Sequence, residues 1–471
     1  MKNKGHLWHN CQDVIETITK YKSKKLTNKV LHGHPSPIFW NHDLNFHEFM
    51  NHRKQINGRC SKKLVLYIAL PFCVPTNPPN CGYCLFPHVN YTCQKDLVDY
   101  LNYLRIEGRI YKEYLHQEEI AAIYFGGGTP NVYPETLYDE IMDIVEEQFP
   151  QIKSQTIEIT FEGIPSLFNR KKLQTLKSRG VTRISMGVQQ LNPKLINLSG
   201  RKQDVSHVLN VINWCHELDL KISADLIYGW PQQTIDSMLY DLNELVKANV
   251  SQITNYELNI GGRTDFSRNR RHELPTNKVN LSMFLTLKKF LEEHEYQQVS
   301  TNDFIRIEKN GSNIFRFEKC MREFWNTNGE MTGYDMWGWG FGGISYFLGN
   351  ADQPGVAFMN TTNLSDYYRS IEKNSPPIKR TFCYSKMDLR LGWIFQSLQN
   401  LGIKREVYLE LFQTDVYDDY TLIWQALEKQ GMAEITDDEI KLLGEGIYYT
   451  SLIQNLLSTK RNNELREKQK Q

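Results

Sequence analysis

No run of eighteen apolar residues occurs in the 471-residue sequence, so no membrane-spanning helix is expected. The first twenty residues, MKNKGHLWHNCQDVIETITK, lack the apolar stretch of a signal peptide. Net charge is nearly absent: 55 Lys and Arg stand against 54 Asp and Glu, a formal +1. That balance supplies no overall pull toward nucleic acid or an anionic membrane. Internal repeats and low-complexity tracts are missing too. The cysteines number nine, an odd count, and without a secretory signal they point to a reducing, cytoplasmic setting. A disulfide scaffold is therefore not expected, and metal chemistry is the better use for clustered thiols.

What is present is the composition of an ordinary folded chain of two or three domains: 40% hydrophobic, 12% aromatic and 23% charged. Residues 1–62 are polar and hold His6, His9, His32, His34, His42, His47 and His52. His6/His9 and His32/His34 have no cysteine or carboxylate partners nearby in sequence, so these histidines are expected on the surface. A rhythm then begins. LVLYIAL from Leu64, IAAIYF from Ile120, TIEITF from Thr156, VTRISMGV from Val181, LKISADLIYG from Leu220 and QITNYEL from Gln252 read as buried parallel strands. Helical periodicity fills 95–115, 134–148, 170–178, 204–218 and 235–249 between them. Alternating strands and helices define an α/β fold over 63–270, as an open sheet or a partial barrel. The rhythm breaks across 271–383, where the aromatic run Tyr334–Phe347 is expected to pack over the sheet. Residues 384–458 read as a separate module of helices and a small hairpin. The charged tail 459–471 reads as a solvated helix or disorder.

Three cysteines share the loop after the first strand, in LPFCVPTNPPNCGYC (Leu70–Cys84). Two chemistries fit Cys73, Cys81 and Cys84. Three thiolates can hold three irons of a [4Fe–4S] cluster and leave the fourth open, or His88 can complete a Cys3His zinc set. The loop alone leaves both standing. Cys11, Cys60, Cys93, Cys215, Cys320 and Cys383 are scattered and read as small hydrophobes. Gly126, Gly127, Gly128 and Thr129 close the second strand with a turn whose amides can approach a ligand. Glu162 ends the third strand in an apolar run, where it needs a partner. It is either a site carboxylate or half of a core ion pair with Arg183.

YIALPFC with CGYC, YFGGGTP, EITFEGIP, RISMGVQQ, SGRK and DLIYGWPQQT follow one another in the order found in radical S-adenosylmethionine (SAM) enzymes. The chain resembles the oxygen-independent coproporphyrinogen III oxidase family, which includes heme chaperones and anaerobic heme-degrading relatives. The similarity runs from about residue 64 to 350 and continues more weakly through the C-terminal module. This resemblance implies a partial (β/α)6 barrel with an N-terminal extension and a winged-helix-like C-terminal module. It also implies a [4Fe–4S] cluster on Cys73, Cys81 and Cys84, with SAM chelating the fourth iron. By the same resemblance Gly127, Gly128 and Thr129 receive the amino-acid end of SAM, and Glu162 its ribose or methionine portion. Gln189, Arg201 and Asp225 match further SAM contacts; arginine suits a carboxylate, and a side-chain carboxylate suits ribose hydroxyls. Tyr67, Tyr83 and Ile344 match apolar or backbone contacts.

Four features depart from the family pattern. Seven residues, Val74–Asn80 with three prolines, stand where the family has three between its first two cysteines. Leu85 and Phe86 follow Cys84 where the oxidases carry a further cysteine. The EANP-type element reads EGIP, and the histidine-bearing GAHS-type element reads GGIS. The expected activity is reductive cleavage of SAM to a 5′-deoxyadenosyl radical that abstracts hydrogen from a small organic substrate, a tetrapyrrole first among them. Flavodoxin or ferredoxin would supply the electron. Neither nucleic acid nor membrane is an expected partner, and no catalytic acid or base stands out. The alternatives are two-SAM methyl-transfer or cyclopropane chemistry, a non-catalytic heme chaperone, and a zinc-stabilised α/β binding protein.

Overall fold

The computed structural model describes residues 8–23, 29–41, 44–57, 63–115, 117–154, 156–262, 264–307, 315–322, 334–349 and 355–470. His6, His42 and Cys60 lie outside them. The six apolar runs form β1 (Lys63–Leu70), β2 (Ile120–Gly127), β3 (Glu158–Gly163), β4 (Arg183–Gln189), β5 (Lys221–Tyr228) and β6 (Gln252–Glu257). Helices Gln94–Leu115, Tyr138–Gln148, Arg170–Ser178, Val205–Glu217 and Ile235–Lys247 connect them. Local chemistry starts these helices. Asp204 accepts from the Ser206 amide, and Thr234 forms a reciprocal cap with Ser237.

Six more strands join the same sheet: β7 (Tyr296–Gln298), β8 (Asp303–Arg306), β9 (Tyr334–Trp339), β10 (Ile344–Phe347), β11 (Val356–Asn360) and β12 (Ile378–Cys383). The order is β12-β11-β10-β9-β1-β2-β3-β4-β5-β6-β8-β7. Neighbours from β9 through β6 run parallel, and the pairs on either flank are antiparallel. The result is an α/β fold on one mixed sheet; no pairing closes it into a barrel among the described residues. Tyr334–Phe347 supplies β9 and β10, strands of the sheet itself and not a layer over it. Gly338, Gly340, Gly342 and Gly343 interrupt its apolar pattern and hid the strands from a periodicity reading.

Alternation assigns the two faces of β1. Leu64, Leu66, Ile68 and Leu70 join the main core with Leu97, Leu101 and Leu104. Val65 and Tyr67 turn to the other face, where Ala122, Tyr124, Phe317 and Cys320 meet them. Helix Arg316–Arg322 covers the beginnings of the strands on that second face. The Arg316 and Phe317 amides donate to Glu158 at 2.9 and 3.0 Å, and Arg183 Nη1 donates to Glu318 at 2.7 Å. The opposite, carboxyl ends of the strands are left for the motif loops.

The C-terminal module contains helices Lys386–Gln399, Arg405–Phe412 and Thr421–Lys429 and a small three-stranded sheet. Helix Thr450–Lys468 runs through the tail that sequence placed in solvent. Arg461 Nη2 pairs with Asp388 at 2.8 Å, Leu465 is buried, and Gln469 donates to the Ile38 carbonyl at 3.0 Å. Three anchoring contacts in a charged stretch carry no periodicity, so the docking was not legible.

The N-terminal segment is likewise integrated. Val14 and Ile18 of helix Cys11–Ser23 are buried, and Lys22 pairs with Glu445 at 2.7 Å. Arg53 is buried between Asp335 and Glu118, each at 2.8 Å. His34, expected at the surface, is only 2% exposed, with Nε2 3.4 Å from Asp388 Oδ1. His32 and His47 bond Gln399 and Tyr114 at 2.8 and 2.7 Å. His32 and His47 stay exposed, as expected, whereas His34 was misjudged because Asp388 lies hundreds of residues away along the chain.

Candidate active site

The cysteine loop leaves β1 at Leu70 and passes through the short strand Phe72–Cys73, paired with Val89–Asn90. A turn at Pro79–Gly82 then places Asn80 and Cys81 in the left-handed region (φ 57° and 54°). Thr76 Oγ1 accepts from the Cys81 amide at 2.9 Å and donates to the Pro78 carbonyl at 2.8 Å. The Cys84 amide donates to the Asn80 carbonyl at 3.0 Å. The seven-residue insert is therefore ordered by its own hydrogen bonds. It also lies against the SGRK turn: a Cβ on Gly200 (φ +75°) would fall 2.3 Å from the Asn77 carbonyl oxygen. Only glycine permits that approach.

Cys73, Cys81 and Cys84 face a common region. Burial raises the Cys73 thiol to about 11, offset in part by Thr129 Oγ1 at 3.4 Å from its sulfur, while Cys84 and Cys81 raise it further. Burial also raises Cys84, and Cys81 adds to it. Among the described residues no three His, Cys, Asp or Glu side chains converge as ligands of one metal ion. Zinc would draw its ligands to within about 2.0–2.3 Å of a single centre. His88 is exposed, with Nδ1 2.9 Å from the Phe86 carbonyl.

The GGGT turn serves this loop directly. Gly128 N donates to Leu70 O at 2.9 Å and Thr129 N to Phe72 O at 2.8 Å. Those two amides, expected to be free for a ligand, are spent on holding the cysteines. The Gly127 amide bonds Glu162. A Cβ on Gly126 would lie 2.7 Å from Glu162 Oε2 and 2.8 Å from both Tyr67 Oη and Tyr124 Cε1, so its bare backbone leaves room for all three. Tyr67 and Tyr124 stack with centroids 5.7 Å apart.

Glu162 does not pair with Arg183, whose guanidinium is taken by Glu318 and Glu158. Burial pushes the Glu162 carboxyl to about 8, and Asp225 adds to the rise while Arg201 opposes it. Asp225 is pushed to about 7 by burial and then by Asp303, relieved partly by Arg183 and Thr254. Arg201 Nε lies 3.4 Å from Cys81 Sγ, and its Nη1 donates to the Gly187 carbonyl at 2.9 Å. Register places Asp225 beside Gly187 on the next strand. Gln189 ends β4 at φ +65°, its side chain turned back toward Gly187. Tyr83 packs edge-on against Trp230 at 5.0 Å. Ile344 begins β10, its backbone close over Gly338, the register partner of Tyr67.

The carboxyl ends of β1–β5 thus bring the three thiols, Thr129, Glu162, Arg201 and Asp225 into one region. Sequence reasoning missed Tyr124, Asp303 and Thr254. Tyr124 was visible at the head of YFGGGTP, whereas Asp303, which accepts from Thr254 Oγ1 at 2.9 Å, sits beyond the legible strands.

The family model described as the radical SAM superfamily matches residues 75–245. Oxygen-independent coproporphyrinogen III oxidase of Helicobacter pylori is 26% identical over 396 residues, covering 81% of this chain and 82% of that protein. The heme chaperone HemW of Haemophilus influenzae is 27% identical, covering 78% and 88%. The structure of coproporphyrinogen III oxidase (HemN) from Escherichia coli, a radical SAM enzyme, aligns with a TM-score of 0.77 at 20% identity over 94% of this chain and 98% of that one. Residues 75–245 match the radical SAM superfamily, and most of the chain is similar to oxygen-independent coproporphyrinogen III oxidase and to HemW. The cofactors of that superfamily are a [4Fe–4S] cluster and SAM.

Proposed function

We propose that the chain is a radical SAM enzyme acting on a small organic substrate of the tetrapyrrole class, with Cys73, Cys81 and Cys84 as the cluster's three protein ligands. When bound, the cluster and SAM supply one-electron cleavage of a carbon–sulfur bond and an organic radical that abstracts hydrogen. The protein's part is positioning. Thr129 and Arg201 bond the sulfurs of Cys73 and Cys81 and stabilise their thiolate forms. Arg201 offers the carboxylate of SAM a half-buried cation, while Glu162 and Asp225 offer acceptors for its ribose or ammonium. Tyr67, Tyr83, Gln189 and Ile344 line the remaining approach. The observation that carries the reading is the convergence of three thiols, a half-buried arginine and two half-buried carboxyls at the ends of parallel strands. A low-potential carrier such as flavodoxin or ferredoxin would supply the electron.

A second reading, heme carriage, is favoured by two observations. Leu85 and Phe86 follow Cys84 and are exposed, and HemW relatives match over most of the chain. Anaerobically reconstituted protein with SAM and a strong reductant separates the two. An enzyme makes 5′-deoxyadenosine, faster with porphyrinogen or heme present; a carrier binds heme and never makes it.

A further inference from the structure

One phenol on the sheet face of Asp225 has no part in these assignments. Alternation puts Thr254 and Tyr256 of β6 on that face, with Asp225 and Ile227 as their register partners on β5. Gln252 through Asn255 are buried, yet Tyr256 is 43% exposed. Among the described residues it is the only large apolar or aromatic side chain exposed on a strand. Nothing among them bonds its phenol oxygen. The backbone holds it in place: the Asn255 and Leu258 amides donate to the Asn302 and Tyr228 carbonyls, each at 2.9 Å. Glu257 next to it accepts from Asn280 Nδ2 at 2.7 Å and from Tyr448 Oη of the C-terminal module at 3.0 Å. Ile227 leads from Tyr256 toward the cysteine loop, in one cluster with Trp230 and Tyr83.

The charges around this ring have one sign. It stands in a concavity, open at its edge and otherwise walled by protein. Burial there, and then Asp225, Asp303, Glu318 and Glu162, raise the phenol well above its usual value, so it stays an O–H donor. Asp303 is fixed by Thr254 Oγ1 at 2.9 Å and Ser300 Oγ at 2.6 Å. The nearby guanidiniums are committed elsewhere, Arg183 to Glu318 and Glu158, and Arg201 to the Gly187 carbonyl and Cys81. A carboxylate brought to Tyr256 would meet these acids in a poorly solvated corner, where like charges repel strongly. An uncharged unsaturated ring meets no such repulsion and gains an aromatic contact.

We propose that Tyr256 is a specificity-determining contact for the substrate, taking an uncharged, unsaturated edge against its ring while the acids beside it turn carboxylates away. The proposal rests on the tetrapyrrole reading and narrows it. A tetrapyrrole whose carboxylates lie on one side, leaving a carboxylate-free edge, suits this face. One with a carboxylate on every pyrrole ring does not, because each of its edges brings an anion to Asp225 and Asp303.

The test uses the cluster-loaded full chain with SAM and no reductant, so that nothing turns over. Its probes are two metal-free porphyrins: deuteroporphyrin IX, with its propionates on one side, and coproporphyrin III, with a propionate on every pyrrole ring. Fluorescence titration should show deuteroporphyrin binding more tightly by about tenfold or more, as like-charge exclusion requires. Asp303→Asn should narrow that ratio. Tyr256→Leu should weaken deuteroporphyrin binding by about three- to tenfold, and Tyr256→Phe, which keeps the ring, should restore most of it. In a second arm 3-fluorotyrosine at position 256 should show a ring-current shift of its fluorine resonance when deuteroporphyrin is added. The same label at position 240, exposed on helix Ile235–Lys247, should not. Equal or reversed affinities, or a silent label at 256 while porphyrin binds, overturn the proposal and leave the tetrapyrrole reading standing. A loss of SAM affinity in Tyr256→Phe makes the phenol a cofactor contact and overturns it too. A chain that binds neither porphyrin overturns both.

Discussion

Arg201 reaches Cys81 Sγ with Nε at 3.4 Å and the Gly187 carbonyl with Nη1 at 2.9 Å, joining the cysteine loop to the end of β4. Burial opposes its charge, but Tyr83 and Cys81 hold the guanidinium firmly cationic. It is thus a half-buried cation beside three thiols and two half-buried carboxyls, poised for an anionic ligand group. Arg201→Ala is expected to weaken SAM binding by about 1.5–3 kcal/mol, the range for a charge-assisted hydrogen bond. Calorimetric titration measures it, with circular dichroism reporting the fold. Unfolding with normal affinity in the surviving fraction would make Arg201 a structural ion-pair partner.

Replacing Cys73, Cys81 and Cys84 together with alanine should remove the brown colour and about four irons and four sulfides per chain. Iron and sulfide assays on anaerobically purified protein decide this. One tightly held zinc in colourless protein would restore His88 as a ligand.

Glu162 and Asp225, raised to about 8 and about 7, titrate as an interacting pair. Below those values both are neutral and are weak acceptors for ribose hydroxyls or an ammonium group. SAM affinity should therefore tighten as pH climbs through 7 and 8, and Glu162→Gln should flatten the upper part of that rise. Equilibrium dialysis across this window is the measurement. Affinity that stays level or falls would contradict the assignment of these carboxyls.

Glu107 makes a separate, purely conformational prediction. Its carboxyl titrates at about 8 in the folded chain against an ordinary 4.5 when unfolded. Between those values the native state alone holds the proton, so stability falls as pH rises. The contribution is complete below 4.5 and lost as pH passes 8. This one group gives a slope of at most about 1.4 kcal/mol per pH unit. Urea midpoints across the window should drop in the parent and level out in Glu107→Gln.

The six parallel strands were legible because strands covered on both faces must be apolar along their whole length. The motif loops were legible because six short motifs follow one another in the order of a known family, each at the end of an apolar run. What escaped was set by distance along the chain. Arg183 finds Glu318 135 residues later, so the short-range guess that it serves Glu162 failed. His34 meets Asp388 and the tail's Arg461 meets the same carboxylate, which burial would raise but these bonds hold well below the usual range. The bonds from the Gly128 and Thr129 amides to the Leu70 and Phe72 carbonyls escaped for a related reason: a turn can be glycine-rich to suit a neighbouring loop as readily as a ligand.

Helix Arg316–Arg322 has a kinetic consequence. Phe317 and Cys320 stop one end of the sheet face that carries Tyr67 and Tyr124, and Arg183 with Glu318 locks that stopper in place. A molecule on this face therefore meets a dead end beneath it and the cysteine loop above. Two guests sharing such a berth must board in sequence, the deeper first, and the deeper one departs last. Steady-state inhibition by 5′-deoxyadenosine and by the second product should show that queue, one competitive with its own precursor and the other not.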